Sequence, residues 1–257
     1  MEPAPLRRHT QRGAYDVASA KAVFDDCFVA HVSYVVDGEP ACMPMIAVML
    51  DDVEVGEGET PGMAVYLHGH PSSKIMELVR QTSRERESGG DDVGVVKVCI
   101  TATKIDGLVL SSAPNGHTFN YRSATVHGTC RPVRDRVAKT AVMRAVTDKI
   151  VAGRWAEVNP VASLQVSLVY VVRVSLDRLS VKTRAGLPGI QPRDYVVDGP
   201  DLATPPWTGV VPLWEQLGEP VASGLTPGAG APSASLRQYI DERNAREQEH
   251  AQKAAMG

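Results

Sequence analysis

Residues 28–50, F-V-A-H-V-S-Y-V-V-D-G-E-P-A-C-M-P-M-I-A-V-M-L, set two apolar, β-branched-rich runs on either side of Asp37-Gly38. Asp and Gly tolerate positive φ, so the dipeptide closes a tight turn and the two runs pair as a β-hairpin. Just before it, residues 16–26 (D-V-A-S-A-K-A-V-F-D-D) repeat Val17, Ala20, Val23 and Phe24 at helical spacing behind Asp16, a capping residue. Just after it, past an acidic loop at 51–62, Met63–Leu67 reads as a strand that ends at His68-Gly69. Ser72 or Ser73 caps the helix that follows, whose apolar side is Ile75, Met76, Leu78 and Val79, before a polar loop at 81–92.

Composition narrows the class. The 257 residues are 43% hydrophobic and 22% charged, enough to bury a full core. A formal net charge of -3 lacks the concentrated basic face that nucleic-acid binding needs, so small-molecule partners fit better. Cys27, Cys42, Cys99 and Cys130 lie far apart without a C-x-x-C pair, which reads as reduced, buried thiols. The N-terminal stretch M-E-P-A-P-L-R-R-H-T has no apolar signal core, and no apolar run approaches the roughly 20 residues that cross a bilayer. The expectation is a soluble, cytoplasmic protein.

Further along, residues 93–103 and 107–112 read as two strands parted by a turn at K-I-D-G (104–107), and residues 121–133 as a long strand interrupted at Gly128. A helix is expected over Asp135–Val151, a strand over Val166–Val174 and a last strand over residues 178–184. Sequential short strands with few helices favour a small β-barrel decorated by helices over a doubly wound α/β fold. Residues 218–235 are rich in Pro, Gly, Ala and Ser and lead to a charged helix with little apolar face. The expected division is a domain over residues 12–217 and, over 218–257, a linker with a helix or tail that serves as an appendage or partner contact.

The chemistry concentrates at H-G-H-P-S-S-K (68–74). A strand-to-helix turn exposes backbone N–H groups and the positive end of the helix dipole, so it suits an anion. Gly69 permits close backbone approach, Ser72 and Ser73 add hydroxyls, and Lys74 adds a charge that the dipole alone disfavours. A capped helix with a solvated lysine accounts for this cluster equally well. His68-x-His70 lacks a third ligand at metal-site spacing, and no G-x-S-x-G or activated cysteine marks a nucleophile. A second polar cluster spans residues 111–123, where Arg122 offers a bidentate match to phosphate, against the reading of a surface arginine in a strand pair.

Taken in order, D-G-E-P-A-C-M-P-M, L-H-G-H-P-S-S-K-I-M, D-G-L-V-L-S-S, F-N-Y-R-S-A-T-V-H-G and V-A-G-R-W resemble the flavin-nucleotide-binding branch of the pyridoxamine 5'-phosphate oxidase-like split-barrel family. That branch is similar to the nitroimidazole-resistance (Nim) proteins. The resemblance runs from Arg12 to Trp214 and takes in R-A-G-L-P, D-Y and W-T-G-V-V-P-L. It implies a mainly β chain with flanking helices, built as a six-stranded antiparallel split β-barrel, a homodimer holding FMN at the subunit interface. By the same resemblance His68, Gly69, Ser72, Ser73 and Lys74 hold the FMN phosphate, and the backbone of Met45, Ile46 and Ala47 follows the flavin edge. Arg122 and Ser123, in N-Y-R-S with Asn120 and Tyr121, contact phosphate or flavin, and Trp155 is a pocket wall supplied across the dimer. This chain departs from the family pattern at Pro44–Ala47 and at A-P-N-G-H-T-F (113–119).

The expected function is that of an FMN-binding protein, a flavin-dependent oxidoreductase acting on a small organic substrate. The alternative on the same barrel is a non-catalytic flavin-binding or storage protein, or a binder of haem or deazaflavin. In flavin chemistry the cofactor reacts and no side chain is compelled to act as acid or base, so the catalytic residues are unassigned, with His117 or Tyr121 as the proton donor if one is needed.

Overall fold

The computed structural model describes residues 2–53, 62–89, 94–189, 206–226, 228 and 230–257. Parts of the expected loops at 51–62 and 81–92 and the D-Y pair at 194–195 lie outside them; the expected loop from Gln81 is helix as far as Glu87, its polar residues being the exposed side of an amphipathic segment.

In chain order the elements are β1 (Glu2–Pro3), β2 (Gly13–Ala14), α1 (Val17–Asp26), β3 (Ala30–Val36), β4 (Glu39–Met45), β5 (Ala47–Asp51), β6 (Met63–Gly69) and α2 (Lys74–Glu87). They continue with β7 (Lys97–Leu110), β8 (Thr118–Pro132), α3 (Arg136–Ile150), α4 (Ser163–Leu168), β9 (Tyr170–Val174), β10 (Arg178–Arg184), β11 (Gly209–Pro212) and α5 (Ala234–Met256).

The expected six-stranded split barrel is not what forms. The sheet has eleven strands, and its main path runs β4-β3-β7-β8-β9-β6-β5. β4 and β5 end that path without pairing to each other, so the sheet stays open, and with its helices the fold is mixed α/β. The run read as one strand from Glu39 to Leu50 divides at Ile46. Up to Met45, which faces Ala30, it pairs with β3; from Ala47, which faces Leu67, it pairs with β6. Pro40 and Pro44 have no N–H to offer a further strand, which keeps β4 at an edge.

The chain divides into two compact units, Met1–Thr103 with Ser123–Lys182, and Lys104–Arg122 with Thr183–Gly257. In the first unit β6 is buried on both faces. Val65 and Leu67 join Ile75, Met76 and Val79 of α2 in one core cluster, while Ala64 and Tyr66 point the other way into a cluster with Val142 and Val146 of α3. Full burial of such a Leu or Val side chain contributes about 1.5–3 kcal/mol. Asp16 caps α1 by accepting the Ser19 N–H at 2.8 Å, as the sequence led us to expect, and Asp135 caps α3 by accepting the Ala138 N–H at 2.7 Å.

Three local expectations give way. K-I-D-G is no turn: β7 runs through it, and Lys104 and Asp106 are 4% and 3% exposed inside the second unit. Gly107 serves close strand approach there, since a Cβ would stand 2.9 Å from Val210 Cγ1 on β11. Gly128 does not interrupt β8 either; a Cβ would lie 1.9 Å from the Ser175 carbonyl oxygen. The apolar run from Val166 divides into the end of α4 and, from Tyr170, β9.

In the second unit α5 forms where a charged helix was expected, and it buries Arg243, Glu247, Ala251, Ala254 and Ala255. Lys104 meets Glu215 at 2.6 Å and Glu247 at 3.0 Å. These carboxylates offset the desolvation of an ammonium that would otherwise be prohibitive to bury.

Candidate functional site

The β6–α2 turn is assembled by its own short-range bonds. The His70 carbonyl accepts the Ser73 N–H at 2.9 Å, and Nδ1 of His70 accepts the Ser72 N–H at 3.2 Å and faces the Ser72 hydroxyl at 2.6 Å. His70 is thereby occupied in shaping the turn. Glu77 N–H donates to the Ser73 carbonyl at 2.9 Å, so the helix begins at Lys74 and leaves its earliest N–H groups outside the intrahelical ladder.

Ser73 occupies the N-cap position but its side chain makes no capping bond, and its hydroxyl oxygen is buried without a partner. A serine that normally satisfies a helix donor instead keeps its own polar atom unsatisfied at the positive end of a 14-residue helix. Lys74 beside it is exposed, and no ion pair to it is found among the described residues. Bare N–H groups, a free hydroxyl and a cation suit a phosphate.

Gly69 and His68 complete the strand side. A Cβ on Gly69 would come within 3.3 Å of Met76 Cε and 3.7 Å of Met45 Cε, so the end of β4 reaches the turn through Met45. Ile46 lies between β4 and β5, outside either ladder, whereas Ala47 is buried and paired with Leu67. Burial holds the His68 imidazole below its ordinary pKa, favouring the neutral ring.

The remaining expected residues are carried by other elements. Arg122 belongs to the second unit, where its guanidinium forks onto Asp106 with contacts of 2.8 and 3.0 Å. Its neighbour Asn120 is fully buried, donating to the carbonyls of Ala254 at 2.9 Å and Gly186 at 3.2 Å and accepting from Arg184. Ser123, in the first unit, donates to the Lys182 carbonyl at 3.2 Å. Trp155 lines a hollow with Arg136, Val137, Thr140, Ala141 and Arg144 of α3, and its backbone N–H donates to the Asp148 carboxylate at 2.9 Å. His117 is exposed, with Nδ1 3.0 Å from the Ala113 carbonyl.

Two features escaped the sequence reading. Asp52 accepts from the buried Tyr66 hydroxyl at 2.8 Å and from Arg173 Nε at 2.8 Å, closing a polar knot whose members lie on separate strands. Ser111 and Ser112 hold buried hydroxyls without partners. Doubled serine in a β7–β8 connection was the only sequence signal for the latter. Among the described residues no three His, Cys, Asp or Glu side chains gather as a metal site, and no helix is long and apolar enough to cross a membrane.

Residues 16–183 match the family model described as pyridoxamine 5'-phosphate oxidase. Among solved structures, the flavocytochrome Anf3 from Azotobacter vinelandii is similar at 24% identity, over 91% of this chain and 94% of that one, with a TM-score of 0.69. The FAD and haem binding protein from Mycobacterium smegmatis is similar at 24% identity, over 89% of this chain and 97% of that one, with a TM-score of 0.68. At such identity the likeness is one of fold. Among curated proteins none matches.

Proposed function

The chain belongs to the pyridoxamine 5'-phosphate oxidase family, and from that premise we propose that it binds a flavin nucleotide, with the phosphate seated on the β6–α2 turn. The observation that carries this reading is the buried, unpartnered hydroxyl of Ser73 at the start of α2. Ser72, Ser73, Lys74 and the first N–H groups of α2 would hold the phosphate. The backbone at Ile46, outside both ladders, and its neighbours Met45 and Ala47 would meet the flavin edge. Bound flavin supplies hydride or electron transfer. The protein fixes its orientation and keeps the turn apolar through Met45 and Met76. FMN is the nucleotide this reading favours, within the branch that resembles the Nim proteins, and the activity it favours is oxidoreduction of a small organic substrate. Arg122 serves in it as the partner of Asp106 rather than as the first phosphate contact. A cytoplasmic homodimer with the cofactor at the subunit interface belongs to the same reading.

The test is the absorption spectrum of the purified chain, followed by heat release and chromatography of the nucleotide. Bound FMN, bleached by NAD(P)H and restored by air, is the expected outcome. Lys74→Ala should weaken retention by about 1.5–3 kcal/mol, the worth of a charge-assisted bond. A chain that stays colourless after incubation with FMN and with FAD overturns the assignment.

A second reading, flavin together with haem, is favoured by one observation: two structural matches that cover about nine-tenths of this chain are a flavocytochrome and an FAD and haem binding protein. None of the seven histidines is fully buried, so an axial ligand would have to come from a partly exposed imidazole. A Soret band in the same spectrum would support this reading.

A further inference from the structure

Cationic side chains from three parts of the first unit converge on one hollow. Arg80 and Arg84, one turn apart on α2, line it with Arg134 from the β8–α3 connection and Lys139 from α3, while Tyr170 and Glu87 complete the wall. Four positive charges face one carboxylate, and that carboxylate pairs with Arg134. Lys139 Nζ donates to the Val169 carbonyl at 3.2 Å, which leaves its full charge in place.

Arg80 is the telling residue. Its Nε is buried without a hydrogen-bond partner, and the Glu77 carboxylate lies 4.0 Å from its Nη, beyond hydrogen-bond reach. A basic stripe on a solvated helix face would account for Arg84, which is exposed and stands near a helix C-terminus where cations are favoured. It does not account for a guanidinium N–H withdrawn from water with nothing to bond. Nor does it account for Tyr170, a half-buried phenol with Arg134, Arg80 and Arg84 close enough to act on its ionisation. Like charges gathered around a partly dry hollow repel one another, and an anion removes both the repulsion and the unsatisfied donor.

We propose that this hollow is an anion site for a phosphate-bearing small molecule, recognised through a diphosphate group. Planar guanidiniums fork onto phosphate oxygens, the ammonium adds a point charge and the Tyr170 hydroxyl adds a neutral donor. With Glu87 on Arg134 and Glu77 at 4.0 Å from Arg80, an excess of two positive charges remains, which suits a diphosphate better than a single carboxylate. Of its lining residues, Tyr170 is the ladder partner of Gly69 at the end of β6. Two sources share the chemistry, the diphosphate bridge of a bound flavin dinucleotide and that of a separate soluble nucleotide. The site stands whether or not the turn holds a flavin.

Titration calorimetry of the full chain with inorganic pyrophosphate, at low salt and after removal of any bound nucleotide, tests it. Saturable one-site binding is expected, weakened at least tenfold in Arg80→Gln/Lys139→Gln. Arg84→Gln/Arg134→Gln, which alters two exposed side chains, gives the same loss if the first variant folds poorly. Lys21→Gln, a cation on α1 outside the hollow, should retain wild-type affinity. Pyrophosphate binding abolished by prior loading with FAD assigns the site to a dinucleotide; binding that survives assigns it to a second ligand. No saturable uptake, or an equal loss in Lys21→Gln, overturns the proposal.

Discussion

Ser73, in the β6–α2 turn, keeps a buried hydroxyl without an internal partner, while Arg122, in β8, commits its guanidinium to Asp106 at 2.8 and 3.0 Å. Both sit in segments that resemble flavin-binding motifs, and both are residue types that hold phosphate. The difference lies in what the fold leaves over. At the turn, short-range bonds shape the backbone but leave over the first N–H groups of a helix and one buried hydroxyl beside them. In β8 every polar group of Asn120, and two edges of Arg122, are taken up by residues brought from distant parts of the second unit. A motif names the donors; only the packing says whether they are available.

The largest expected effect breaks that comparison at Arg122. Arg122→Ala leaves Asp106, 3% exposed, without its main counter-charge and should lower stability by about 3–5 kcal/mol in urea denaturation. Flavin affinity of the folded fraction should change less than twofold. Intact stability with lost flavin would reverse the roles assigned to the two segments. Ser73→Ala is the converse: flavin affinity should fall by about 1.5–3 kcal/mol, while stability of the ligand-free chain stays within about 0.5 kcal/mol or rises, because an unsatisfied buried group is removed. A large loss of ligand-free stability would mean that the hydroxyl has a partner within the fold.

The smallest effect is a pH dependence at His68. Its folded-state pKa lies below the ordinary value of 6.5 because burial disfavours the charged ring. As pH falls through about 6.5 the unfolded chain takes up a proton first, so stability declines from there and levels off once the folded-state pKa is passed. His68→Gln should flatten the thermal midpoint between pH 7 and 5 relative to wild type. An unchanged slope would show that the imidazole is solvated.

What was legible follows from range. The hairpin at Asp37-Gly38, the Asp16-capped helix and the β6–α2 turn are set by neighbours within a few residues and are where the sequence put them, although the expected serine cap on α2 makes no capping bond. Lys104 and Asp106 looked like turn residues because their partners, Glu215, Glu247 and Arg122, are remote in the chain. The apolar letters of Val166–Leu168 suit a buried helix as well as a strand, and only packing decided. Barrel closure failed for a related reason: strand content can be read from alternation, but the pairing of β4 with β5 at the ends cannot. At the hollow, Arg84 lies in a stretch read as loop that the structure makes helix, and Arg134, Lys139 and Tyr170 come from separate elements.

The ion pairs of Lys104 also impose an order on synthesis. The first unit is complete once the ribosome has passed Lys182, and it can condense while translation continues. The strand segment around Lys104 and Asp106 is made well before Glu247 and the Ala254 carbonyl that Asn120 requires. Until they do, the nascent second unit holds charges it cannot bury, which makes the interval after Lys182 the window in which a stalled or slowed ribosome exposes the chain to chaperones and proteases.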